Sequence, residues 1–258
     1  MKFANKLQNL RVLIFGGTSG LGFAVAEGAI ELGAKVFISG SNQEKLDKTV
    51  QRLKESCPDA PEDVIGTYVC DLSKEDELDA NIKTLLASVT DDGKEKLNHI
   101  VFTAGDDFQP NPIATADLAK FRQNQVVRLV APIMIAKHLP QYMEQSADSS
   151  FTLTSGAAVE KPQPGSALLI AAGAAVEGLS RGLAVDLAPI RVNCVAPGAI
   201  MTELFARRVT PEREEMFKKL TKVGRLGKPE DTAEAYLYAM KDGFLTGSII
   251  KTHGGWLL

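Results

Sequence analysis

RVLIFGGTSGLGFAVAEGAIELGA, residues 11–34, decides the fold. RVLIFGG (11–17) is a short β-branched run that stops at glycine, and LGFAVAEGAIELGA (21–34) has helical composition with a glycine near its end. Between them Gly16, Gly20 and Gly22 stand at G-x-x-x-G-x-G spacing. Glycine is needed where a turn is tight and where backbone must approach a pyrophosphate closely. The helix that follows turns free N–H groups and a positive dipole end toward such an anion. A glycine motif between a first strand and a first helix therefore predicts a dinucleotide site. Its residues are Gly16, Thr18, Ser19, Gly20, Leu21 and Gly22.

The same alternation continues to the C-terminus. KVFISG (35–40), VIGTYVCD (64–71), HIVFTAG (99–105), SFTLTS (150–155), IRVNCVAPG (190–198) and SIIKT (248–252) are the further strands. Helical segments separate them at 42–56, 73–89, 115–125, 126–145, 166–181, 211–220 and 230–240. Ser73 is the expected cap of its helix, with acidic residues in the first turn. Continuous apolar strands divided by helices argue for a parallel sheet covered on both faces. The expected fold is α/β, a doubly wound Rossmann sheet in one domain spanning 1–258.

The end of the second strand distinguishes the two nicotinamide cofactors. A carboxylate there binds the 2′-hydroxyl of NAD and repels the 2′-phosphate of NADP. Here Ser39, Gly40, Ser41 and Asn42 occupy it, with Lys45 one turn on and no carboxylate before Glu44. Hydroxyl and amide donors favour NADP(H). Ser41 and Asn42 also suit the cap of the next helix.

A net charge of −3 without a block of like charge argues against a nucleic-acid-binding face. Cys57, Cys70 and Cys194 are scattered and odd in number, with no CxxC and no Cys/His ligand spacing. They predict a reducing compartment and no metal site. The opening MKFANKLQNL has no apolar core of signal-peptide length, and no uninterrupted apolar run reaches the length of a membrane span. A cytoplasmic protein is the expectation.

With these segments in place, the chain resembles the short-chain dehydrogenase/reductase family. GGTSGLG resembles that family's phosphate turn, and CDLS (70–73) its adenine-contacting segment, with Asp71 and Leu72 in place. FTAG (102–105) is similar to the family's NNAG, with Thr103 for the second asparagine and Ala104 and Gly105 retained. IRVNCVAPGAIMT (190–202) resembles the segment that holds the nicotinamide, which implies roles for Pro197, Gly198, Ile200 and Thr202. GRLGKPEDTAEA (224–235) and TGSIIKTHGG (246–255) resemble the C-terminal landmarks. The resemblance also implies a homodimer or homotetramer, and small residues Gly173, Gly178 and Gly182 on one helix suit close packing.

The family's catalytic Asn-Ser-Tyr-Lys set is largely missing. In SALLIAAGAAVEGLSR (166–181), Leu169 stands where the resemblance places tyrosine and Gly173 where it places lysine. Arg128 stands at the asparagine position, and Ser155 alone is retained. Losing the tyrosine removes the general acid of ketone reduction, a contribution of about 10²–10⁴. An iminium ion is already cationic, so hydride reduction neutralises it without a proton. This altered set resembles a fungal biosynthetic branch of the family that includes imine reductase/Diels–Alderases of indole alkaloid pathways. The loop SGAAVEKPQPGS (155–166) is similar too.

The expected catalytic groups are Arg128, Asp106, Asp107 and Ser155, around a bulky, apolar small-molecule substrate. Arg128 suits a substrate amide or carboxyl. Asp106 and Asp107 follow the fourth strand and suit pairing with Arg128, a cationic substrate or a solvated loop. Glu160 and Lys161 read best as a solvated pair, and no tyrosine or histidine is placed to replace the missing acid. An NADPH-dependent imine or iminium reductase, with a cyclisation templated in the same pocket, is the leading expectation. The alternatives are a carbonyl reductase with a displaced acid, an NADP-bound cyclase or isomerase, and a pseudoenzyme.

Overall fold

The computed structural model describes residue 3, residues 5–105 and residues 112–258. Seven strands form one sheet: β1 (Arg11–Phe15), β2 (Lys35–Gly40), β3 (Ile65–Val69), β4 (His99–Phe102), β5 (Ser150–Thr154), β6 (Arg191–Pro197) and β7 (Ile249–Thr252). Their order is β3-β2-β1-β4-β5-β6-β7, every pair parallel. The Rossmann α/β architecture expected from the alternation is what the chain forms.

One face carries α1 (Gly20–Glu31) and α2 (Gln43–Ser56), and the other α3 (Leu78–Val89) and α5 (Ala131–Tyr142), with α4 (Leu118–Gln125) leading into α5. α6 (Ala167–Asp186) joins the second face and lies against β6. Two short helices, α7 (Glu203–Ala206) and α8 (Pro211–Leu220), follow β6, and α9 (Pro229–Lys241) packs on α1. Each face of the sheet thus buries its own apolar layer, which is why the central strands carry few polar residues. By length and composition α6 is apolar enough to cross a membrane, but Ala172, Val176 and Ser180 are buried where it packs on the fold.

The chain leaves β3 at one edge and re-enters as β4 beside β1. Successive crossovers diverge there, opening a crevice at the strands' carboxyl ends, the usual ligand position in such sheets.

Three expected boundaries are corrected. The helix at 73–89 begins at Leu78, after a tight turn at Glu75–Glu77, because Ser73 does not cap it. Asp71 Oδ1 instead accepts from the Ser73 amide at 2.9 Å and its hydroxyl at 2.6 Å. The helix expected at 115–125 starts at Leu118, where the Asp117 carboxylate accepts from the Lys120 amide at 3.0 Å. The helix expected at 126–145 opens with a wide π turn, Val126–Val130, and ends at Tyr142. Pro132 explains the turn: it has no N–H for the Arg128 carbonyl, and its ring crowds that carbonyl. Such turns occur often at functional sites, and this one carries Arg128. Helix α7 was not expected from the sequence.

Candidate active site

β1 delivers the chain directly into the phosphate turn. Gly16 has φ +83°, and a β-carbon on it would lie 2.6 Å from the Ala104 nitrogen. Gly22 is buried, and a β-carbon there would lie 2.3 Å from the Gly16 carbonyl oxygen and 2.5 Å from Thr103 Oγ1. Thr103 belongs to the closure, since its hydroxyl donates to the Phe15 carbonyl at 3.0 Å. The strand ends, the turn and α1 thus fit together only with glycine at these points. Ser19 is the exposed residue before α1, and Thr18 packs beside Gly40 at the end of β2.

The N-terminus of α1 holds an anion of the chain's own. The Gly20 amide donates to Glu203 Oε2 at 2.8 Å, and Arg52 Nη2 lies 3.5 Å from Glu203 Oε1. The Arg52 guanidinium also lies over the Phe23 ring, 4.0 Å from its centroid. A carboxylate on this amide shows that the turn accepts negative charge, so the residues fit a pyrophosphate. A dinucleotide bound at this turn would have to displace Glu203. Glu203→Gln is expected to bind NADPH several-fold more tightly, because the repulsion between carboxylate and pyrophosphate is gone. A fluorescence titration checks this, and weaker binding would show that Glu203 supports the site.

Asp71 and Leu72 follow β3. Hydrogen bonding from Ser73 holds the Asp71 carboxyl below its ordinary pKa, so it stays an acceptor. Leu72 is buried. At the end of β2, Ser39 is buried and gives its carbonyl to the Gly16 amide at 3.1 Å. Ser41, Asn42 and Lys45 are exposed there. Asn42 caps α2 by accepting from the Lys45 amide at 2.9 Å, which leaves its amide NH₂ for other partners. Glu44 is paired with Lys48 at 2.6 Å.

Next to the phosphate turn a cavity of about 420 Å³ opens. Leu21, Pro197, Gly198, Ile200 and Thr202 line its side toward the glycine turn, and Arg128, Ser155, Leu169 and Gly173 line it further in. Ala104 and Gly105, after β4, adjoin both regions. A β-carbon on Gly105 would lie 3.0 Å from Arg128 Nη2 and 3.1 Å from its Cζ, so the guanidinium rests on this glycine. Asp106 and Asp107 lie outside the described residues. The Thr202 side chain caps α7, accepting from the Phe205 amide at 3.2 Å.

The wall at Gly173 is less open than the sequence suggests, since a β-carbon there would lie 2.7 Å from Val159 Cγ2. Val159, from the turn Ala157–Val159, fills the space beside the lysine position. Ser155 donates to Glu177 Oε1 at 2.9 Å.

A wall invisible in the sequence comes from the C-terminal third. Phe205, Phe217 and Trp256 line the cavity and stack edge to face, with centroids 5.6 and 6.4 Å apart. Arg208 and Arg213 line it as well. Glu160 and Lys161, expected as a solvated pair, are both tied to β7 and the C-terminus. Glu160 bridges to Lys251 at 2.5 Å, and Lys161 donates to the Trp256 carbonyl at 2.8 Å.

Among the described residues no tyrosine or histidine lines the cavity. Tyr236 is fully buried and its hydroxyl meets Thr154 Oγ1 at 2.8 Å. Tyr238 bonds Asp242 at 2.8 Å. His99 is buried against Ser150 at 2.9 Å, and burial pushes its pKa down to about 3. His138 meets Asp79 at 2.8 Å, and His253 lies behind Gly198. The three cysteines are buried and unpaired, and the described residues contain no acid, histidine and cysteine cluster able to hold a metal.

The model of an SDR-like Rossmann domain matches residues 3–258. A short-chain dehydrogenase/reductase of Malbranchea aurantiaca, malC, is 43% identical over 255 residues, covering 98% of this chain and 96% of that protein. The solved structure of MalC reductase/Diels–Alderase from that fungus superposes with a TM-score of 0.92 at 42% identity, covering 98% of each chain. The short-chain dehydrogenase/reductase fsr5 of Gibberella fujikuroi is 40% identical over 266 residues, spanning 100% of this chain and 98% of its own. A short-chain-type dehydrogenase/reductase of Mycobacterium ulcerans aligns at 27% identity with a TM-score of 0.86, over 97% of this chain and 90% of that one.

Proposed function

This chain belongs to the short-chain dehydrogenase/reductase family, and on that premise we propose that it is an NADPH-dependent reductase of an imine or iminium intermediate in secondary metabolism. A cyclisation of Diels–Alder type in the same cavity is the second half of the proposal. It is supported by the likeness to the fungal reductase/Diels–Alderase over nearly the whole of both chains.

One observation carries the reading. Leu169 and Gly173 line the cavity beside the nicotinamide segment, and no described tyrosine or histidine lines it to supply a proton. Bound NADPH supplies a hydride. The described polar side chains of the cavity are hydroxyls of Thr154, Ser155 and Thr202, guanidiniums of Arg128, Arg208 and Arg213, and the indole N–H of Trp256. None of these is a good acid, and iminium reduction needs none. Leu169, Ile200 and Trp256 exclude water from the reacting carbon. Arg128 holds an acceptor of the substrate, an amide carbonyl or carboxylate, through its planar fork.

NADPH is preferred to NADH because exposed Ser41, Asn42 and Lys45 meet the 2′-phosphate while Glu44 is neutralised by Lys48. Two measurements test these readings. Titration with both cofactors is expected to show NADPH as the tighter ligand, and equal affinities would contradict the assignment. With 4-deuterated NADPH and a cyclic iminium, deuterium is expected on the former C=N carbon. Product formation without deuterium and without NADPH oxidation would favour a non-redox cyclase instead.

We also infer a homo-oligomer. Gly178, Gly182 and Val185 of α6 are exposed, and a β-carbon on either glycine would meet nothing within 4 Å. Light scattering is expected to give a dimer or tetramer mass, and a monomer would refute the inference.

A further inference from the structure

Glu177 has no place in the family's catalytic set, yet it is the partner of the one member retained here. It lies on α6, one helical turn beyond Gly173, and accepts the Ser155 hydroxyl proton at 2.9 Å. Ser155 lines the cavity. A carboxylate only accepts hydrogen bonds, and a serine hydroxyl has one proton to give. With that proton committed to Glu177, Ser155 presents lone pairs to the cavity and no donor. The Cys194 thiol also lies beside Ser155, but burial pushes its pKa up to about 12, and a neutral thiol is a weak acceptor beside a carboxylate.

A serine fixed in this sense is wrong for a ketone, whose oxygen needs a donor. It is right for a substrate that donates. We propose that Glu177 is a positioning residue which sets Ser155 as an acceptor and so selects a protonated imine bearing N–H. This rests on the iminium reading above and names the substrate class within it. The N–H of the cation donates to Ser155 Oγ, and the Glu177 charge behind the serine stabilises it. Hydride arriving at the carbon of the C=N bond moves the π pair onto nitrogen. The product is a neutral amine that keeps its proton, NADPH leaves as NADP⁺, and no proton crosses the site.

The test compares wild type with Glu177→Gln on three probes of one shape: protonated 3,4-dihydroisoquinoline, N-methyl-3,4-dihydroisoquinolinium and 1-tetralone. A glutamine can donate to Ser155 and release its hydroxyl proton toward the cavity. The variant is expected to lose on the order of tenfold or more in kcat/KM for the N–H cation, as removing a hydrogen bond to a charged group does. The N-methyl cation, with no N–H to give, is expected to lose less, and the ketone to lose nothing or to gain. Affinity for NADPH is expected to be unchanged. Binding of 1,2,3,4-tetrahydroisoquinolinium, followed by calorimetry on the NADP⁺ complex, is expected to weaken in the variant. Equal loss on all three probes, or no loss, overturns the proposal while leaving iminium reduction standing. Absence of turnover of either cation by wild type overturns the iminium reading and this inference with it.

Discussion

Gly22→Ala is expected to bind NADPH about a hundredfold more weakly than the wild type, equivalent to roughly 2.7 kcal/mol. The added β-carbon would sit 2.3 Å from the Gly16 carbonyl oxygen and 2.5 Å from Thr103 Oγ1. Neither neighbour has room to move. Gly16 is in the left-handed region with the Ala104 backbone so near that a β-carbon on Gly16 would lie 2.6 Å from the Ala104 nitrogen, and Thr103 is held by its bond to the Phe15 carbonyl. Helix α1 must therefore slide outward and take its N-terminal amides with it. Overpacking of this kind costs about 1–3 kcal/mol, and the loss of phosphate contacts adds to it. Gly28→Ala is the control, because its β-carbon would meet only the flexible end of Leu237 at 2.7 Å. It is expected to bind NADPH as the wild type does. Normal binding by Gly22→Ala would contradict the placement of the cofactor on this turn.

The second large effect is expected at Arg128. Arg128→Ala is expected to lower kcat by about 10²–10³, the scale of losing one preorganised electrostatic group. Its affinity for NADPH is expected to hold, since the phosphate turn is untouched. The side chain rests on Gly105 and lines the same cavity as Ser155, Leu169 and Gly173, where the proposed substrate would lie. Arg128→Lys keeps the charge without the planar fork and is expected to fall between the two. Steady-state kinetics with a cyclic iminium, beside a cofactor titration, separates the cases. Full activity of Arg128→Ala would remove it from the catalytic set.

The fold was legible because its signals are local. The run at 11–15 with its glycine turn can be read in a short window. Arg128 was legible through the missing asparagine, and its π turn follows from Pro132, four residues on. Ser73 was misread because two local patterns competed: a serine before an acidic run suits a helix cap, and Asp-x-Ser suits a closed turn. The Asp71 carboxylate, two residues away, won. What stayed hidden lies far apart in the chain. Ser155 and Glu177 are 22 residues apart, and Glu203 reaches Gly20 across 183. The aromatic wall joins Phe205 and Phe217 to Trp256 near the other end of the segment. No periodicity or short motif encodes such pairings, and only the sheet order brings them together. Gly173 carries the same lesson: it reads as open space, but Val159 occupies that space. Restoring lysine there requires the turn at 157–159 to give way.

The most direct measurement is NADPH oxidation by the wild-type protein with protonated 3,4-dihydroisoquinoline and with 1-tetralone, each at several concentrations. A site without a general acid is expected to reduce the cation with kcat/KM at least about a hundredfold above that for the ketone, since acid catalysis contributes about 10²–10⁴. Ketone reduction as fast as or faster than iminium reduction would contradict the account, and would mean that another group supplies the proton.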